Sequence, residues 1–236
     1  MTGLVRPHVF ALLYGDFLKL HERLVLSLAR NVPSEAPVWL WLNVVCHDTK
    51  SALAPGRTKV NWRTFMSNVN VGKYRAMRQM FTEALKNPNW NWAVWFDDDS
   101  HIDKADWWET WDEYVSSRMA EGPGKIAYVG QPWWLHYTPG MWQAVKEAKW
   151  FKGKEPETIR DKPAVTFATG GYWWLARWAL EKLDWPDIRL NHNGGDHLLA
   201  QAVRQQDWPF HKFAYGVKVN DAKRRGYWEP ALGDKQ

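Results

Sequence analysis

Cysteine and long apolar runs are what this 236-residue chain has least of. Cys46 is the single cysteine, which excludes an internal disulfide framework and predicts a reducing compartment. No stretch approaches the roughly 20 apolar residues of a membrane span, so no spanning helix is expected. The segment Arg6-Pro7-His8-Val9-Phe10-Ala11-Leu12-Leu13-Tyr14 imitates a secretion leader. Its apolar part is short, Asp16 follows at once and no small-residue cleavage pattern appears, so it predicts a first strand. The expectation is a soluble, cytoplasmic protein.

Tryptophan and positive charge are abundant. Thirty-one basic against 26 acidic residues give a net charge of +5, which suits a phosphorylated or polyanionic partner. Nineteen tryptophans exceed what a core of this size needs. Their flat faces stack on sugars and nucleobases, although most are expected to serve packing.

Strand patterns alternate with helical ones, which predicts one α/β domain with a mostly parallel central sheet flanked by helices. Strands are expected over 9–14, 38–45, 92–96, 125–129, 164–168 and 209–213, and helices over 17–31, 71–86, 103–121, 173–183 and 195–205. Residues 46–70 read as loop with a short strand at most. Residues 130–163 read as a long substrate loop. The domain is drawn over 1–216, with a basic tail at 217–236 carrying Lys223-Arg224-Arg225.

The chemistry centres on Val94-Trp95-Phe96-Asp97-Asp98-Asp99-Ser100, where an apolar strand stops at three carboxylates. Alternation puts Asp97 and Asp99 on one side and Asp98 on the other. Converging carboxylates repel one another, and a hard divalent cation such as Mg2+ or Mn2+ relieves them. A solvated acidic turn is the plainer reading, with Asp103 already placed to cap the next helix. Lys73 falls on the inward face of its helix with Met77, Met80 and Phe81, and so needs an anion, unless it snorkels from the first turn. Gly170-Gly171 ends a strand and lets backbone approach a ligand. Asp196, after Asn193-Gly194-Gly195, either favours its helix dipole or removes a proton at a cleft. His211 is a lone histidine in an apolar strand, more often structural than a ligand.

In order and spacing, VWFDDDSHI at 94–102, FATGGYWWLAR at 167–177, GGDHLLA at 194–200 and FHKF at 210–213 resemble the GT-A-fold glycosyltransferases, nearest to the fringe and β-1,3-glycosyltransferase group. Asn70-Val71-Gly72-Lys73 adds to the likeness, which spans about residues 68–213. The resemblance implies a nucleotide-sugar donor, a UDP-sugar first, and a divalent metal. It implies Asp97 and Asp99 as metal ligands, Asp99 foremost, with His211 joining them. It places Tyr14, Gly15, Asp16, Lys73, Asp97 and Asp98 at the donor, and Gly170, Gly171 and Tyr172 at the acceptor. Asp196 matches the base of inverting members. Trp133, Trp134 and Trp142 would stack on the acceptor. The chain differs from fringe proteins in lacking anchor and bridges, and in carrying Tyr172-Trp173-Trp174 after the paired glycines.

The leading acceptor is a hydroxymethylated pyrimidine in DNA, with Lys146, Lys149, Lys152, Lys154 and the tail gripping phosphates. A saccharide acceptor is the alternative. Two readings lie outside transferases: a two-metal nuclease or phosphatase on Asp97, Asp99 and Asp196, and a non-catalytic tryptophan-rich module for carbohydrate or DNA.

Overall fold

A computed structural model describes residues 5–45, 60–122, 124–190 and 194–219. Cys46, Pro55-Gly56, Asn193 and Lys223-Arg224-Arg225 lie outside the described residues. The chain runs β1 (Pro7–Tyr14), α1 (Leu18–Asn31), β2 (Val38–Asn43), β3 (Trp62–Ser67), α2 (Lys73–Leu85) and β4 (Trp92–Asp97). It continues through β5 (Ser100–Ile102), α3 (Trp107–Ala120), β6 (Tyr128–His136), α4 (Pro139–Lys146), β7 (Glu157–Ile159) and β8 (Lys162–Ala176). The last elements are α5 (Arg177–Leu183), α6 (Gly195–Gln205), β9 (Phe210–Lys212) and β10 (Val217–Val219).

The central sheet has the order β3-β2-β1-β4-β8-β6-β9, with β7 also on β8. The four strands β3, β2, β1 and β4 are parallel, as is the pair of β6 and β9. β8 runs antiparallel to β4, β6 and β7. β5 and β10 form a separate antiparallel ribbon. The expected α/β domain with a mostly parallel sheet is what the chain forms. Every residue of β1 and β2 is buried, because helices cover a parallel sheet on both faces.

Tryptophan forms much of the cover. On the α2 face Trp95 stacks on Trp173 at 5.9 Å, and Phe81 meets both edge-on. On the α3 face Trp111 stacks on Trp174 at 4.7 Å, and Trp107 abuts Phe96. Among the described residues eight tryptophans are at most 2% exposed, whereas Trp133 and Trp134 are exposed on β6. The structure therefore separates packing rings from ligand candidates.

Three expectations are corrected. Residues 173–176 are not helical: Tyr172, Trp173, Trp174 and Leu175 extend β8 against Phe96, Trp95, Val94 and Ala93. A short apolar run suits a buried strand as well as a buried helix, and here a distant partner decides. Residues 130–163 are no open loop, since β6 continues to His136 and α4 and β7 follow. Asp103 does not cap α3, which begins four residues later; its carboxylate pairs with Lys218 at 2.9 Å.

Candidate active site

The site lies where β1, β2 and β4 end, and it assembles from four segments. The first is the turn between β4 and β5. Asp97 ends β4 on the same pleat face as Trp95, toward α2. The Trp95 indole N–H donates to Asp97 Oδ1 at 2.8 Å. Ser100 ties the turn down, its Oγ lying 2.6 Å from Asp97 O and 2.7 Å from Gly171 O.

The second segment opens α2. Gly72 enters the helix with φ of 78°, in the left-handed region that glycine tolerates. Lys73 faces inward as its periodicity predicts. Its Nζ donates to Asp97 Oδ2 at 2.7 Å and to Gly170 O at 3.1 Å. Burial, the largest influence, would strip the ammonium of its proton, but Asp97, Tyr74 and Asp196 together outweigh it and hold its pKa above the ordinary lysine value. The next residue, Tyr74, is buried and donates to Asp196 Oδ1 at 3.4 Å.

The third segment is Gly170-Gly171 of β8. A Cβ on Gly170 would overlap the Asp196 carboxyl group, and one on Gly171 would overlap Val219 and touch Asp99. These glycines are required by close approach. The fourth segment is the start of α6, where Asp196 stands in the first turn. Burial raises the Asp196 pKa, Lys73 and the Tyr74 hydroxyl oppose that rise, and Asp97 adds to it.

The structure thus brings Asp97, Asp99, Lys73, Gly170, Gly171 and Asp196 together. Asp99 is pushed up to about 7, first by burial and then by the charge of Asp97. Both Asp97 oxygens are engaged, and burial beside the Asp97 charge disfavours the ionised form of Asp99, a cost that a dication would relieve. Among the described residues no three acidic, histidine or cysteine side chains gather into a metal cage. A cation here would be held by Asp99, with Asp97 behind it, and would take its remaining ligands from outside the chain.

Other predicted residues are placed elsewhere. Asp98 is 1% exposed and turned inward, accepting from Tyr14 N at 3.2 Å and lying 3.6 Å from His21 Nε2, so it ties β1 to the turn and does not face a donor. His211 is not brought to the aspartates. It aligns through Val129 and Trp174 with Val94, three strands across the sheet, or about 14 Å. Its Nδ1 lies 3.3 Å from Tyr114 OH and its Nε2 lies 2.9 Å from Lys125 O. Tyr172 is fully buried, its hydroxyl accepting from Trp107 Nε1 at 3.1 Å and Trp174 Nε1 at 2.5 Å, so it packs beneath the sheet and not in the cleft.

Tyr14, Gly15 and Asp16 stand at the end of β1. Beside them is a network missing from the sequence reading. Asn43 Nδ2 donates to Asn70 Oδ1 at 3.0 Å, Asn70 Nδ2 donates to Tyr14 OH at 3.3 Å, and Gly72 N donates to Asn70 Oδ1 at 2.9 Å. The signal was a pair of asparagines, one ending a strand and one preceding the glycine that opens α2. Trp133 and Trp134 project from the outer half of β6, opposite Phe167 and Thr166 of β8 and so a few residues from Gly170. Trp142, half-buried, packs on Tyr137 and Phe151.

No protein-family model and no curated protein matches the sequence. Solved structures do resemble it. The mannosyltransferase PcManGT from Pyrobaculum calidifontis, in complex with GDP-Man and Mn2+, superposes with a TM-score of 0.62 at 14% identity over 94% of this chain. TarS of S. aureus, in complex with UDP-GlcNAc, gives a TM-score of 0.54 at 12% identity over 84% of this chain. The chain spans 59% of the mannosyltransferase and 53% of that TarS chain. Its fold is that of the GT-A-type glycosyltransferases.

Proposed function

We propose that this chain is a glycosyltransferase that moves a sugar from a nucleotide-diphosphate sugar to an acceptor hydroxyl. One observation carries the reading: Gly170 separates a cationic, metal-competent side, Lys73 with Asp97 and Asp99, from a second carboxylate, Asp196. The first side suits a leaving diphosphate and the second suits an attacking hydroxyl.

In the proposed reaction Asp196 takes the acceptor's hydroxyl proton as that oxygen bonds to the anomeric carbon. The bond from that carbon to the diphosphate oxygen breaks, and the electron pair leaves on the diphosphate. Lys73 stabilises the charge gathering there. Asp99, with Asp97, would hold a divalent cation, Mn2+ or Mg2+, which supplies further neutralisation of the leaving group. Tyr14, Gly15 and Asp16 with the Asn43–Asn70 network form the nucleoside end. Inversion and the fringe-like grouping rest on motif order. The neighbours' bound GDP-Man and UDP-GlcNAc support the donor class, with UDP-sugars the first to test.

For the acceptor we infer a hydroxymethylated pyrimidine in DNA. The support is the net charge of +5 and exposed Trp133 and Trp134 on a flank that also carries exposed Lys146, Lys149, Lys152 and Arg160. Exposed rings equally favour a saccharide, which is the second reading. Lys73, bonded to Asp97 and within the field of Asp196, disfavours a two-metal nuclease, because its ammonium already supplies positive charge to both carboxylates.

The test offers the full chain UDP- and GDP-sugars with Mn2+ and hydroxymethylated DNA, plain DNA or an oligosaccharide, and measures nucleoside diphosphate release. Release stimulated by hydroxymethylated DNA alone is the expected result. Asp196→Asn is expected to lower transfer by about 10^2–10^4-fold with donor affinity retained. Near-normal turnover in that variant rejects Asp196 as the base.

A further inference from the structure

We propose that Tyr74 is the positioning residue for Asp196, fixing the carboxylate against Gly170 in the orientation that proton removal needs. The inference rests on the reading of Asp196 as the base. Three contacts support it. The Tyr74 hydroxyl accepts from Gly195 N at 3.0 Å while donating to Asp196 Oδ1 at 3.4 Å, so one oxygen holds both the backbone and the side chain of α6's first turn. The Tyr74 ring, 3% exposed, fills the space where a Cβ on Gly195 would stand, and Trp185 meets it edge-on at 6.4 Å. The Asp196 carboxyl group rests against Gly170, whose missing side chain leaves it room.

A carboxylate in a helix's first turn otherwise rotates freely about χ1 and is drawn to the free backbone amides there. Tyr74 instead bonds the Gly195 amide itself and presents a hydroxyl to Asp196. Tyrosine suits this task because its ring leaves only two side-chain torsions to fix.

The groups facing Asp196 are few. Lys73 and Tyr74 approach from α2, Asp97 from β4, and Tyr128 from β6, its hydroxyl accepting from Ala168 N at 3.3 Å. On Asp196's own helix His197 is held neutral by burial, its pKa down at about 4. Without the Tyr74 hydroxyl, Lys73 alone opposes burial and Asp97. The carboxyl would then hold its proton to higher pH.

The test follows the Asp196 carboxyl by NMR in the full chain labelled with 13C-aspartate, with Asp196→Asn assigning the resonance. Tyr74→Phe is expected to move the Asp196 midpoint upward by about one pH unit, as loss of a hydrogen bond to a charged group should. Replacing Tyr74 by 3-fluorotyrosine, a stronger donor that keeps the hydroxyl and its fold, is expected to move it downward. The acid limb of kcat against pH should follow both shifts, with donor KM unchanged. A midpoint that stays in place in both variants, beside an inert Asp196→Asn, overturns the tyrosine's role alone. Normal turnover of Asp196→Asn overturns the base reading and the positioning inference with it.

Discussion

Lys73 keeps its charge in the interior because Asp97 meets it at 2.7 Å. Removing one partner of such a pair leaves the other without a countercharge. Lys73→Met is therefore expected to lower unfolding free energy by about 3 kcal/mol, read from urea denaturation, and adding Asp97→Asn should recover part of that loss. Gly170 is bound by a different constraint. Gly170→Ala places a methyl group into the Asp196 carboxyl, and a misplacement of about 1 Å at reacting groups is worth about 10^2 in rate. We expect turnover to fall by about that factor while donor affinity and thermal midpoint change little; unchanged turnover would show that the carboxylate has other room.

At the scale of elements, the N-terminal end of β1 carries a pH-sensitive joint. His8 accepts from Trp39 Nε1 at 3.1 Å and stacks on Trp90 at 4.9 Å. Burial first, then Arg63 and Arg177, lower its pKa to about 4 from an ordinary 6.5. A depressed histidine stabilises the fold fully above the unfolded value and loses that contribution as pH falls from 6.5 toward 4. His197 acts in the same direction, while the raised carboxyls of Asp99 and Asp196 act in the opposite one. The difference between wild type and His8→Leu isolates the histidine. It should shrink on acidification over that window, by at most ~1.4 kcal/mol per pH unit.

How legible these elements were depended on where the deciding contact lies. β1, β2, β4 and α6 were visible because burial and periodicity are local properties: expected over 9–14, 38–45, 92–96 and 195–205, they form over Pro7–Tyr14, Val38–Asn43, Trp92–Asp97 and Gly195–Gln205. Residues 173–176 were misread because their strand partner, Trp92–Trp95, stands about 80 residues earlier and no local pattern names it. The same rule governs the site. Lys73 was found from its helix face and Asp97 and Asp99 from an abrupt change of polarity. Tyr74 was missed because the hydroxyl's partners, Gly195 and Asp196, are more than 120 positions away. His211 was carried by resemblance alone, and its strand proved to be an outer one.

For the whole molecule, the proposed acceptor rests on charge and exposed aromatic surface. Trp133 is 61% exposed, so Trp133→Ala should leave the thermal midpoint unchanged while raising acceptor KM several-fold if that ring stacks on the acceptor, as base–aromatic contacts are worth about 1–3 kcal/mol. Salt then separates the two readings. Affinity for a DNA acceptor should fall steeply and log-linearly between 50 and 200 mM salt, about as counterion release requires, whereas a neutral oligosaccharide should show almost no dependence. No described helix is long and apolar enough to cross a membrane.

Lys73 bonds Asp97 and Gly170 at sequence separations of 24 and 97, and Tyr74 bonds Asp196 at 122. Every one of these closures spends chain entropy before it returns any contact energy. A fragment ending before α6 keeps the parallel half of the sheet and yet lacks Asp196, the proposed base, and a fragment beginning after α2 keeps Asp196 without the Tyr74 proposed to orient it. Refolding should therefore restore far-ultraviolet ellipticity well ahead of turnover, because competence arrives only with the last long-range docking.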